Sequence, residues 1–77
     1  MIVNIVLYSS LRLLLPPEKN GKGTIEIHDQ ATLQDLLDHL GIQGEVAVSI
    51  NDEIVTGRQM ILMPNDTVQV FRPVGGG

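Results

Sequence analysis

Apolar and polar residues alternate over residues 2–8, with Val3, Ile5 and Leu7 on one face and Asn4, Val6 and Tyr8 on the other. Apolar side chains on both faces predict a strand inside a sheet rather than at its edge. The period then changes. Ser9 and Ser10 precede Leu11, Leu14 and Leu15, whose spacing of three and four suits a helical turn or two capped by the serines and stopped by Pro16 and Pro17. After a polar turn over residues 18–23, alternation resumes over residues 24–28. Ile25 and Ile27 point inward there, and Thr24, Glu26 and His28 outward.

The strongest local pattern follows. Thr32 is placed to cap a helix, Asp35 to return the hydrogen bond as a short-armed capping box, and Ala31 to staple weakly onto Leu36. Leu33, Leu36, Leu37 and Leu40 then fall at i, i+3, i+4 and i+7, a single apolar stripe, and Gly41 suits the left-handed residue that ends the helix. Beyond it Val46, Val48 and Ile50 alternate with Ala47 and Ser49, up to a turn at Asn51-Asp52 and a short return through Ile54 and Val55. Residues 60–63 are apolar with no clear period. Pro64-Asn65-Asp66 is a turn, and residues 67–72 form the last strand, with Val68 and Val70 inward and Thr67, Gln69 and Phe71 outward.

This order predicts an α+β fold in which one main helix packs across a mixed sheet of four or five strands. A hairpin joins the first two strands, and the helix carries the chain to a parallel or non-adjacent position.

Length and composition narrow the chemistry. At 77 residues without cysteine, the chain is long enough for one core, and it excludes a disulfide-stapled scaffold and an all-cysteine metal site. Leu, Ile and Val dominate the 43% hydrophobic content, while Tyr8 and Phe71 are the only aromatic residues. A formal charge of −4 argues against a nucleic-acid partner. The absence of an apolar run near the 18 or so residues of a membrane span, or of a basic leader, makes a soluble, cytoplasmic protein without a membrane partner the expectation.

Few side chains suggest chemistry. His28 and His39 form no metal-ligand pattern, so no metal is expected. Asp35 and Asp38 read as a cap and a solvated helix face, and Gly21-Lys22-Gly23 is too short for a phosphate loop. The remaining candidate is the end of the chain. Gly75, Gly76 and Gly77 have no side chains to pack, and composition alone reads them as a frayed end. The alternative reading is a filament thin enough to enter a narrow channel, carboxylate first, with Pro73 stiffening its root. Phe71, projecting beside Pro73 and Val74, is either ordinary surface or part of a docking patch.

Several segments together resemble the MoaD/ThiS family of ubiquitin-like sulfur carriers over essentially the whole chain. Leu7-Tyr8-Ser9-Ser10-Leu11-Arg12 is similar to that family's first strand and "LR" turn. Thr32-Leu33-Gln34-Asp35-Leu36-Leu37 resembles its helix start, and Val46-Ala47-Val48-Ser49-Ile50-Asn51 its next strand and turn. Asn65-Asp66-Thr67-Val68 and the ending Phe71-Arg72-Pro73-Val74-Gly75-Gly76-Gly77 are similar to its "G-D-x-V" strand and "F-x-P-V-A-G-G" end.

The resemblance implies a β-grasp domain over residues 1–72 and a flexible glycine tail over residues 73–77. It implies a carrier with no catalytic side chains and no bound cofactor, whose working atom is the carboxyl carbon of Gly77, with Gly76 beside it. An ATP-dependent, ubiquitin-activating-like enzyme would adenylate that end. A sulfur donor protein would convert it to a thiocarboxylate, and a molybdopterin synthase large subunit or a thiazole synthase would receive the sulfur. Tyr8, Arg12, Phe71, Arg72, Pro73, Val74 and Gly75 would meet these partners, with Tyr8 and Arg12 otherwise reading as core-edge packing and a solvated charge.

The long segment between the first two strands, with its Leu11-Arg12 turn, places the chain nearer the molybdopterin synthase small subunit. Other sulfur-transfer pathways and a noncatalytic β-grasp binding module remain alternatives, and conjugation to lysines is a third class. Three positions depart from the family pattern. Asn65 replaces a turn glycine, Arg72 a second proline and Gly75 an alanine.

Overall fold

The computed structural model describes residues 1–72. Five strands, β1 (Ile2–Leu7), β2 (Lys22–Glu26), β3 (Ala47–Ile50), β4 (Glu53–Val55) and β5 (Thr67–Phe71), form one mixed sheet, crossed on one face by α1 (Leu33–Leu40). The strand order is β2-β1-β5-β3-β4. β1 and β5 pair in parallel, Asn4 with Thr67 through Leu7 with Val70, and the other neighbours are antiparallel. β1 thus lies inside the sheet, as its two-sided apolar character requires.

Alternation decides what each strand buries. Val3, Ile5 and Leu7 from β1, Val68 and Val70 from β5, and Val48 and Ile50 from β3 face Leu33, Leu36 and Leu37 of the helix, all essentially removed from solvent. Leu40, the fourth leucine of the stripe, is half-buried at the helix end.

All four amides that a helix N-terminus leaves unpaired are satisfied. Thr32 N–H donates to Asp35 Oδ2 at 3.0 Å and Asp35 N–H to Thr32 Oγ1 at 3.1 Å, completing the capping box. Leu33 and Gln34 N–H donate to the carbonyls of Met60 and Arg58. The apolar segment of residues 60–63, which has no readable period, is therefore an extended clamp on the helix start. Leu62 is buried and its N–H donates to Ala31 O. Gly41 ends the helix at φ 75.

Two expectations change. The first helical segment is a 3₁₀ helix, Ser9–Leu14, whose N-cap is Tyr8 and which no side chain caps. Only Leu11 is buried in it, and Leu13 is 86% exposed. The 3₁₀ rise carries Leu14 about 6 Å along the axis from Leu11, and Leu14 is exposed too. Further on, Leu15 is half-buried, and a Cβ built on Gly23 of β2 would lie 3.6 Å from its side chain.

The second strand begins earlier than its alternation suggests, at Lys22, because Gly21 brings the returning chain against β1. Leu7 N–H donates to Gly21 O at 2.6 Å. Gly21 has φ +81, and a Cβ there would stand 2.3 Å from the Leu7 carbonyl oxygen and 2.7 Å from Arg12 Cγ. Gly21 is thus a close-approach turn residue, and Lys22 and Gly23 already belong to β2. Asn51 and Asp52, with φ 52 and 70, make the two-residue hairpin turn between β3 and β4, and Asn65 takes φ 68. Asn65 thereby adopts the conformation that a turn glycine would otherwise supply.

These contacts set the expected stability effects. Leu37→Ala should cost roughly 2–5 kcal/mol through lost burial and a residual cavity. Gly21→Ala should cost roughly 2–4 kcal/mol by combining left-handed strain with a backbone clash. Denaturant unfolding of both variants checks the two values.

The hydrogen bond from Thr32 N–H, opposed by desolvation and aided by the Thr32 hydroxyl and His28, holds the Asp35 carboxyl below its ordinary value of 3.8. A depressed carboxylate stabilises the fold fully above its unfolded value, and that contribution disappears as pH falls through the folded value. Thermal unfolding followed from about pH 5 down to about pH 2 should show a shallower decline for Asp35→Asn than for the unaltered chain.

Candidate functional site

The parallel pairing of β1 and β5 brings the ends of both strands to one edge of the fold. Tyr8 N–H donates to Val70 O at 3.2 Å, extending the ladder one residue beyond Leu7. Tyr8 and Phe71, the two aromatic residues, meet there. Their ring centroids are 5.9 Å apart at an interplanar angle of 81°, an edge-to-face pair. Both rings belong to the sheet face opposite α1, as alternation places them. Tyr8 is 40% exposed and Phe71 is half-buried. Immediately after Tyr8 the chain turns through Ser9 at φ 53, a conformation uncommon for serine, into the 3₁₀ helix.

Gln69 lies beside this pair on the same face, and Ser49 lies beside Gln69 on β3 by register. Ser49 Oγ donates to Gln69 Oε1 at 2.5 Å, and Gln69 Nε2 donates to Tyr8 Oη at 3.2 Å. The sequence pattern assigns Ser49 and Gln69 only to an outward face. Their facing positions on adjacent strands, which strand register alone decides, were the signal that they form a pair.

Arg72 leaves β5 with its guanidinium fixed, Nη1 donating to Gln43 O at 3.0 Å. Arg58 Nη2 donates to Gly44 O at 2.9 Å, so two arginines hold the loop that follows α1. This anchoring is absent from the sequence pattern, because Arg58, Arg72 and Gln43 belong to three separate segments. Arg12 occupies a different position. Its stem packs over Gly21, and it lines a recess of about 280 Å³ with Leu13, Leu15, Pro16 and Pro17. The structure therefore brings Tyr8 and Phe71 into contact, ties Arg72 to the helix–β3 loop and sets Arg12 in the hairpin loop. Pro73, Val74, Gly75, Gly76 and Gly77 lie outside the described residues.

Among the described residues, no three His, Cys, Asp or Glu side chains are grouped to hold a metal ion, and no helix is long and apolar enough to cross a membrane. His28 Nε2 lies 3.4 Å from Asp35 Oδ2 at the helix cap. The features gathered at the end of β5 are aromatic surface, a fixed amide and a tethered arginine.

Comparison with known proteins fits this arrangement. A model of the ThiS family matches residues 14–77. No curated protein matches the chain in sequence. Among solved structures, SAMP1 from Haloferax volcanii is 18% identical over the full length of both chains, with a TM-score of 0.75. A Pyrococcus furiosus protein named as a molybdopterin converting factor, subunit 1, is 22% identical, over 96% of this chain and 99% of its own, with a TM-score of 0.76. A complex of subunits 1 and 2 of the molybdopterin-converting factor from Helicobacter pylori gives 21% identity over both full lengths and a TM-score of 0.60. At these identities the structures establish the β-grasp fold, and the family match carries the rest. The chain belongs to the ThiS family and is a β-grasp, ubiquitin-like sulfur carrier of the MoaD/ThiS type.

Proposed function

We propose that the chain carries sulfur on the carboxyl group of Gly77 for the synthesis of molybdopterin. The observation that supports this most directly is the arrangement around β5. In a member of the ThiS family, the partly exposed Tyr8–Phe71 pair and Arg72 stand just before Pro73-Val74-Gly75-Gly76-Gly77 in the chain.

A carboxylate is a poor acyl donor, since its leaving group would be oxide. An activating enzyme removes that obstacle. The terminal carboxylate attacks the α-phosphorus of ATP and expels pyrophosphate. A persulfide on the donor protein then displaces AMP from the acyl carbon, and a second thiol attacks the donor-side sulfur of the resulting acyl disulfide, releasing the thiocarboxylate and leaving a disulfide. The carrier contributes a chain end without β-carbons and a surface to dock on. Orientation and charge stabilisation for these steps come from the partner enzymes.

Where the family usually has a second proline, this chain has Arg72, whose side chain bonds Gln43 O just before the tail. The Helicobacter complex of subunits 1 and 2 favours a partner of the large-subunit type over a thiazole synthase. Arg12, in the hairpin loop, extends the surface offered to that partner.

Intact-mass measurement of the chain, incubated with its activating enzyme, ATP and a sulfur source, tests the proposal. One oxygen replaced by sulfur at Gly77 is the expected result. An unchanged mass indicates a binding module, and higher-mass adducts lost on deletion of the terminal glycine indicate conjugation to lysines. Gly76→Ala should unfold at the same temperature as the unaltered chain but be adenylated more slowly, because its methyl group enters the partner's channel rather than the core.

A further inference from the structure

The outer face of the sheet carries a polar relay whose direction is determined. Strand register aligns Val6, Gln69 and Ser49 across β1, β5 and β3, on the side away from α1. Ser49 is only 4% exposed there, so its hydroxyl needs a protein partner. That partner is Gln69 Oε1, at 2.5 Å. With the amide reversed, Gln69 Nε2 would donate to Ser49 Oγ, and the buried serine proton would be left without an acceptor among the described residues.

The orientation therefore points Gln69 Nε2 at Tyr8 Oη, 3.2 Å away. A phenol that already accepts a hydrogen bond has its own O–H as the chief group left to offer. That proton has no acceptor among the described residues, and the ring that bears it is held edge-to-face against Phe71. Aliphatic side chains would serve sheet stability at these positions at least as well. What the relay adds is a preset polarity and direction for one exposed hydroxyl.

We propose that the Tyr8 hydroxyl is a preoriented donor to a main-chain carbonyl of the large-subunit-type partner, with Gln69 and Ser49 as positioning residues. The inference rests on the docking role given to the Tyr8–Phe71 edge under the proposed function. A neutral acceptor fits better than a carboxylate. The chain carries a net charge of −4, and burying an anion against two aromatic rings adds a desolvation cost that a carbonyl avoids.

The test is a binding cycle, measured by calorimetry against the molybdopterin-converting-factor subunit 2 encoded in the same genome. Tyr8→Phe keeps the ring pair and removes only the hydroxyl, and should raise Kd by about 10-fold. Ser49→Ala should weaken binding about 3-fold when Tyr8 is present and add nothing in the Tyr8→Phe background, as for two parts of one interaction. Ser49→Thr, which keeps the hydroxyl, should restore affinity.

Unchanged affinity of Tyr8→Phe overturns the proposal. So does a Ser49→Ala effect that is absent, or equal in both backgrounds. If the unaltered chain does not bind, or Phe71→Ala leaves affinity unchanged, the docking reading itself fails and the relay proposal falls with it. Thermal unfolding of each variant identifies any loss of affinity that follows from loss of fold.

Discussion

The parallel pairing of β1 with β5 is the constraint on which the other features depend. It joins the start of the chain to its last strand and places both in the interior of the sheet, where Ile5 lies against Val68 and Leu7 against Val70. Parallel neighbours require a crossover, and here the crossover includes the helix whose leucines cover the inner face of both strands. Because the strands run the same way, their C-terminal ends coincide. Tyr8, Phe71 and the exit of the chain at Arg72 therefore share one edge, which an antiparallel pairing of the same strands would separate.

That edge divides labour in a way suited to a carrier. Under the proposed function the domain contributes apolar surface, one oriented hydroxyl and an arginine bonded beside the exit, and the end of the chain carries the reacting group. Turn chemistry supports the division. Gly21 closes the first hairpin by an approach that no side chain would permit, and Asn51, Asp52 and Asn65 hold left-handed conformations in the β3–β4 turn and before β5. Asn51 also links its turn to the β5 start, donating to Asp66 Oδ1 and accepting from Thr67 N–H. The strand that leads to the tail is thus fixed at its beginning as well as along its length.

Much of this was legible in the residues. The helix could be read because its cap, apolar stripe and terminating glycine are local and agree with one another. β1 and β5 could be read because period two and burial coincide, and β3 because its apolar residues alternate, although Ser49 between them is buried too. The family's ending pointed to Gly76 and Gly77, which the described residues do not reach. What escaped were features that need two distant segments at once. The segment of residues 60–63 has no period because its order comes from clamping the helix start. Leu14 looks like core by its spacing from Leu11, yet it stays exposed in the 3₁₀ segment. The links from Ser49 to Tyr8 and from Arg72 to Gln43 depend on strand register and loop placement, which no single stretch of sequence encodes.

The most direct test of the central claim, that one edge of the sheet is the working end, is a nuclear magnetic resonance titration of the isotope-labelled chain with its large-subunit-type partner. The account predicts amide shifts concentrated at Tyr8, Gln69, Phe71 and Arg72. Shifts confined to the opposite end, around Ile61 and Met63, with Tyr8 and Phe71 unmoved, would contradict it.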